Sequence, residues 1–163
     1  MNFVLKATGA KVAVHKNDQA WVENGNPSFP PGVNAYGRGM IWLAERLIHP
    51  SLPHIKVDIV FGDEGFSLAE YGIPGKVVHT PGHTQGSSMI LLETGEAFVG
   101  DMAMNAWFLR STPGLPVLAE DIGMVIKSWK NVLPGIKQVY PAHGMDFPVE
   151  IIQKEIADFE AKQ

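Results

Sequence analysis

Apolar and polar positions alternate in short blocks along the chain, and the period of each block predicts an element. Residues 12–15, 77–80, 88–92, 97–99 and 138–141 are β-branched or apolar runs of strand length, bounded by Gly, Pro or acidic turn residues. Between 119 and 133 the period lengthens. Ile122, Val125, Ile126 and Trp129 recur at i, i+3, i+4 and i+7, the stripe of an amphipathic helix opened by Glu120 and Asp121 and closed by Pro134-Gly135. Residues 148–162 repeat the pattern with Ile151, Ile152, Ile156 and Phe159. Residues 2–8 read as helix stopped by Gly9. Residues 17–23 read as a short helix capped by Asn17, and 40–49 as a helix ended by Pro50. The runs 57–61 and 66–68, joined by Gly62-Asp63-Glu64-Gly65, predict a hairpin with Asp63 and Glu64 as solvated turn residues. Strands alternating with helices favour an α/β fold (α+β by some schemes) in one domain, 1–163.

Two stretches carry no clear period. Residues 24–40 are rich in Pro and Gly yet hold Phe29 and Tyr36; the stretch is either a binding lid or a structural loop packing those rings inward. Gly37-Arg38-Gly39 and Gly75-Lys76 lack the remaining positions of phosphate-binding loops. Residues 102–118 hold Met102, Met104, Trp107 and Phe108, which line a pocket if exposed and belong to the core if not.

Composition narrows the chemistry. A net charge of −4 gives no electrostatic basis for binding nucleic acid or an anionic membrane. No apolar run approaches the roughly 20 residues of a membrane span. The first residues lack the order of a secretory signal, which makes the cytoplasm the expected location. The chain has no cysteine, so thiol nucleophiles and thiolate ligands are excluded and any metal is held by nitrogen and oxygen.

The chemistry-bearing pattern is a strand, turn and side chain repeated three times. Val78-His79-Thr80-Pro81-Gly82-His83-Thr84-Gln85-Gly86-Ser87-Ser88 places His83 on a Pro/Gly turn between two strands. Gly95-Glu96-Ala97-Phe98-Val99-Gly100-Asp101 ends a third strand on a carboxylate, and Tyr140-Pro141-Ala142-His143-Gly144 again puts a histidine after a strand. Two imidazoles and a carboxylate at adjacent strand ends suit a zinc-like divalent ion, and no other convergent ligand pattern is readable. His15 reads as a structural or exposed histidine, and His49 and His54 as surface residues. His79, on the strand itself, reads as structural; Gly86 allows a close backbone approach.

The T-P-G-H-T-x-G-S run, the F-V-G-D strand end and the P-A-H-G turn, in that order, resemble the metallo-β-lactamase superfamily, specifically its glyoxalase-II-like metal-dependent hydrolases. The resemblance implies an αββα sandwich with His83 in one metal site, His143 in a second and Asp101 bridging both. It gives His79, Gly82 and Ser87 supporting roles around them. The family's first motif, H-x-H-x-D-H, does not occur in these residues. The resemblance therefore implies an incomplete sandwich missing its N-terminal strands, and disorder or rearrangement at 2–8, since a helix without its first turns lacks a nucleus. The implied cofactor is a divalent metal, zinc first, with iron or manganese as alternatives. Three functions follow from it: a hydrolase of small esters, thioesters or lactams, weak in this chain; a non-catalytic remnant or assembly module; or a site completed by a second copy or a complementing chain.

Overall fold

The computed structural model describes residues 2–25, 29–47 and 54–162, with side chains from Leu5 onward. In chain order the elements are α1 (Asn2–Thr8), β1 (Ala13–His15), α2 (Gln19–Asn24), α3 (Ala35–Leu47), β2 (Ile59–Phe61) and β3 (Phe66–Ser67). They continue with β4 (Gly75–His79), β5 (Ser88–Leu92), β6 (Glu96–Gly100), α4 (Ile122–Val132), β7 (Gln138–Pro141), β8 (Phe147–Pro148) and α5 (Glu150–Glu160).

Six strands form one sheet in the order β3-β4-β5-β6-β7-β8. All neighbours are antiparallel except β6 and β7, whose parallel pairing needs a crossover, and α4 lies in that connection. One face of the sheet is the core. Met89, Ala97, Val99 and Val139 meet Val125 and Trp129 of α4 and Ile152 and Ile156 of α5, all nearly or fully buried. The 3.6-residue stripe is what puts those helix residues on one side. Asp121 caps α4 by accepting the Met124 N–H at 2.9 Å, and the Trp129 indole N–H donates to the Met102 carbonyl at 2.9 Å.

The other face is unequal along its width. At the β4 end, Val77 is buried with Phe61, Leu68 and Phe66. Across the register Val77, Ile90, Phe98 and Tyr140 lie side by side, and Ile90 and Phe98 are 37% and 45% exposed. Phe98 stacks on Tyr140 with ring centres 5.0 Å apart.

Several predicted elements change here. No hairpin joins 57–61 to 66–68: β2 pairs in parallel with β1, Ala13 opposite Ile59, while β3 joins the six-stranded sheet beside β4. α1 is formed rather than disordered, and Gly9 ends it with φ 65° and an N–H bond to the Leu5 carbonyl. α2 starts one residue later than expected, with Asp18 rather than Asn17 at its N-cap. α3 begins at Ala35, absorbing Gly37-Arg38-Gly39 from the expected loop. Among its residues Trp42, Leu43 and Leu47 are exposed. Met102 and Met104 are core, whereas Trp107 and Phe108 are exposed and packed edge to face. His49 lies outside the described residues. His54 is exposed, its Nδ1 2.9 Å from the Glu23 carbonyl. Among the described residues no helix is long and apolar enough to cross a membrane.

Candidate metal centre

Three turns at one end of the six-stranded sheet carry the candidate ligands. The His83 turn leaves β4 and returns as β5. It is fastened to the segment before α4, where the Asp121 and Glu120 N–H groups donate to the Gly82 and His83 carbonyls at 2.9 and 3.1 Å. Gly82 has φ 138°, and a Cβ there would lie 2.4 Å from the Val125 backbone nitrogen, so only glycine lets the turn press against α4. Ser87 closes the turn by accepting the Thr84 N–H on its hydroxyl at 2.9 Å. Asp101 follows β6, and His143 follows β7, which lies beside β6 in parallel.

This placement brings the three residues together. His83 Nε2 lies 3.8 Å from Asp101 Oδ2, and His143 Nε2 lies 3.3 Å from Asp101 Oδ1. The carboxylate thus turns one oxygen to each imidazole. His83 Nδ1 donates to the Leu118 carbonyl at 2.8 Å, which in the neutral ring leaves the Nε2 lone pair facing Asp101. Asp101 Oδ1 is buried and makes no hydrogen bond, with His143 Nε2 3.3 Å away. A lone pair and a carboxylate oxygen face one another here, beside a buried carboxylate oxygen that makes no hydrogen bond. A divalent ion fits these donors. The cleft holding His83 and Asp101 is ≈350 Å³ and is also lined by Asp18, Trp21, Phe29 and Met102.

A second cluster corrects the reading of 83, 101 and 143 as the only convergent pattern. His15, Asp63 and His79 each place a ligand atom within 4.8 Å of the others, close enough to hold a metal ion. His15 is not exposed but 1% accessible, and its ring stacks on His79 at 3.8 Å and 9°. Asp63 is a solvated turn residue, as expected, with its side chain 66% exposed, and it also carries specific contacts. Its Oδ1 receives His15 Nε2 at 3.1 Å and the Lys16 ammonium at 2.9 Å, and lies 3.7 Å from His79 Nδ1. The Asn17 N–H donates to His15 Nδ1 at 3.3 Å, so the neutral ring carries its proton on Nε2, directed at Asp63. His79 Nε2 donates to the Gln85 carbonyl at 2.9 Å. Burial and the neighbouring His79 push the His15 imidazole below its ordinary range. Lys16 holds the Asp63 carboxyl low. A metal bound to imidazole sits in the ring plane about 2.0–2.1 Å from nitrogen. Two parallel rings 3.8 Å apart cannot both meet that condition for one ion. As arranged, this cluster is a hydrogen-bonded clasp between the β1–β2 pair and β4. His79, expected from its strand position to be structural, joins this cluster through its stacking on His15 and its approach to Asp63.

Sequence reasoning missed this clasp because its members are 48 and 16 residues apart on three unrelated elements. The signal available was His15 itself, which ends a short apolar strand.

No family model matches the sequence, and neither does any curated protein. Solved structures do match. The B3 metallo-β-lactamase BLEG-1 aligns over 91% of this chain and 64% of its own, at 19% identity and a TM-score of 0.64. An archaeal metallo-β-lactamase superfamily protein from Sulfolobus tokodaii aligns over 99% of this chain and 62% of its own, at 21% identity and a TM-score of 0.64. TTHA1623, solved in a di-iron-bound form, aligns over 92% of this chain and 65% of its own, at 24% identity and a TM-score of 0.55. The chain spans just under two thirds of the length of each. It carries the metallo-β-lactamase fold over that part of the domain.

Proposed function

We propose that this chain is part of a metal-dependent hydrolase domain, acting on esters, thioesters or lactams, in which His83, Asp101 and His143 bind the ion. The observation that carries the reading is Asp101, whose two oxygens face two imidazoles while Oδ1 is buried and unbonded. His83 Nδ1–H, tied to the Leu118 carbonyl, supports it by fixing the ring and its tautomer. The chemistry a divalent ion supplies in such a place is Lewis-acid polarisation and acidification of water. Asp101 supplies the compensating negative charge, and Phe29 and Trp21 line the cleft beside it. With three protein ligands and no H-x-H-x-D-H in these residues, one ion is held incompletely and turnover is weak. The test is zinc stoichiometry by calorimetry. His83→Ala and His143→Ala each lower uptake, and His54→Ala does not. Equal loss from all three means adventitious surface binding.

A second reading, of assembly, rests on exposed Ile90 and Phe98, with half-buried Tyr140 beside them, on the face away from α4 and α5. An apolar sheet face of this kind invites burial against another chain. A second copy covering it is the occupant we propose. Light scattering at tens of micromolar returning a 17.8 kDa monomer contradicts it.

A further inference from the structure

Asp18 stands at the N-cap of α2, where an aspartate ordinarily accepts an N–H of the first helical turn, worth about 1 kcal/mol. It makes no such bond. Its carboxylate is turned instead to the His83 turn, 66 and 68 residues away. Oδ2 accepts the Thr84 hydroxyl at 2.7 Å and Oδ1 accepts the Gly86 N–H at 3.0 Å. Asp18 is only 8% exposed and lines the same cleft as His83 and Asp101. Gly86 is shaped to it: a Cβ at that position would lie 2.4 Å from the Asp18 carboxyl carbon. The turn carrying His83 is therefore clamped from two sides. The segment before α4 holds Gly82 and His83 by their carbonyls, and Asp18 holds Thr84 and Gly86.

We propose that Asp18 is a positioning residue for His83, fixing the direction in which the imidazole presents Nε2 to Asp101. The inference rests on the metal reading for its purpose but not for its test. Asp18→Asn keeps the size and removes the charge: with its oxygen on the Gly86 N–H, its amide N–H₂ donates to the Thr84 hydroxyl, so two charge-assisted bonds become weaker neutral ones. Thr84→Val removes one of the two bonds while keeping the β-branched shape and leaving the Gly86 bond in place.

The experiment is NMR of ¹⁵N-histidine-labelled metal-free protein, followed by zinc titration of the same samples. In Asp18→Asn the His83 Nδ1–H, protected in the parent by Leu118, exchanges at least about tenfold faster, and the His143 ring signals on their separate turn do not move. Zinc affinity per folded molecule falls about 10- to 100-fold, as when an outer partner of a metal-ligating histidine is lost. Thr84→Val moves both readouts in the same direction by less. Unchanged His83 ring signals in both variants overturn the proposal. So does a lower melting temperature with ring exchange and zinc affinity unchanged, because Asp18 then only supports the backbone. A parent protein that takes no zinc sinks the metal reading, and the metal-free ring signals still decide the role of Asp18.

Discussion

Two clusters in this protein share one inventory, a pair of imidazoles and an aspartate, and differ in what already satisfies them. Around Asp63, His15 and Lys16 both bond Oδ1, and the two stacked rings lie in nearly parallel planes, so no one point is in the plane of both. Around Asp101, each oxygen faces a different imidazole, no lysine intervenes among the described residues, and Oδ1 has no hydrogen bond. By proximity alone the Asp63 cluster is the tighter. By lone pairs and unspent valence the Asp101 cluster is the one we propose as the cation site. Lys16 already supplies Asp63 with the positive charge of an ammonium.

The comparison is most strongly tested by activity. A site of three ligands, without the upstream histidines and aspartate, loses positioning and water activation together. Hydrolysis by this chain is then at least ~1,000-fold slower than by a complete relative, since each 1.36 kcal/mol is a factor of ten. Turnover on an ester and lactam panel, with and without an added fragment carrying H-x-H-x-D-H, measures it. Full activity from the chain alone, surviving Asp101→Ala, sinks the assignment.

Metal affinity separates the clusters directly. Asp101→Ala weakens zinc binding by more than about 100-fold, beyond the loss from an outer partner, whereas Asp63→Ala changes it by less than about twofold. Stability runs the other way. His15→Ala empties a buried, stacked and hydrogen-bonded position and costs about 2–3 kcal/mol. His143→Ala, half exposed, costs under about 0.5 kcal/mol. Urea unfolding of both variants decides whether one cluster is structural and the other functional.

How far the sequence showed this division can be argued residue by residue. α4 was legible because its stripe is local and strong, and His83, Asp101 and His143 because each follows a strand into a turn. The parallel pairing of β1 with β2 was not, since Ala13 and Ile59 meet across 46 residues and nothing local marks either partner. The start of α3 was hidden by Gly37, which reads as a breaker. Its glycine serves close packing instead, because a Cβ there would lie 2.3 Å from the Val117 carbonyl oxygen. Asp18 was hidden for a different reason: Asn17 beside it reads as the cap, and the Asp18 oxygens bond a turn 66 and 68 residues away.

The smallest effect expected is in pH dependence, and it belongs to the clasp. Burial, His79 and Lys16 lower the His15 pKa against the pull of Asp63, so near pH 6 the unfolded chain binds more protons than the folded one. Stability therefore rises with pH in that window. The contribution is complete above the ordinary value of 6.5 and is lost as pH falls toward the depressed folded value. The lowered Asp63 carboxyl acts in the same direction but only below its ordinary 3.8, outside the window. Urea midpoints between pH 7.5 and 5.5 should fall, and His15→Phe should flatten the slope. An equal slope in His15→Phe assigns the dependence to other groups.

The central claim is that the cation belongs at Asp101 and not at Asp63. Anomalous diffraction at the zinc edge from zinc-soaked crystals tests it. The account predicts a peak beside Asp101, with His83 Nε2 and His143 Nε2 drawn to about 2.0–2.2 Å from the ion. A peak among His15, Asp63 and His79, with none at Asp101, contradicts it.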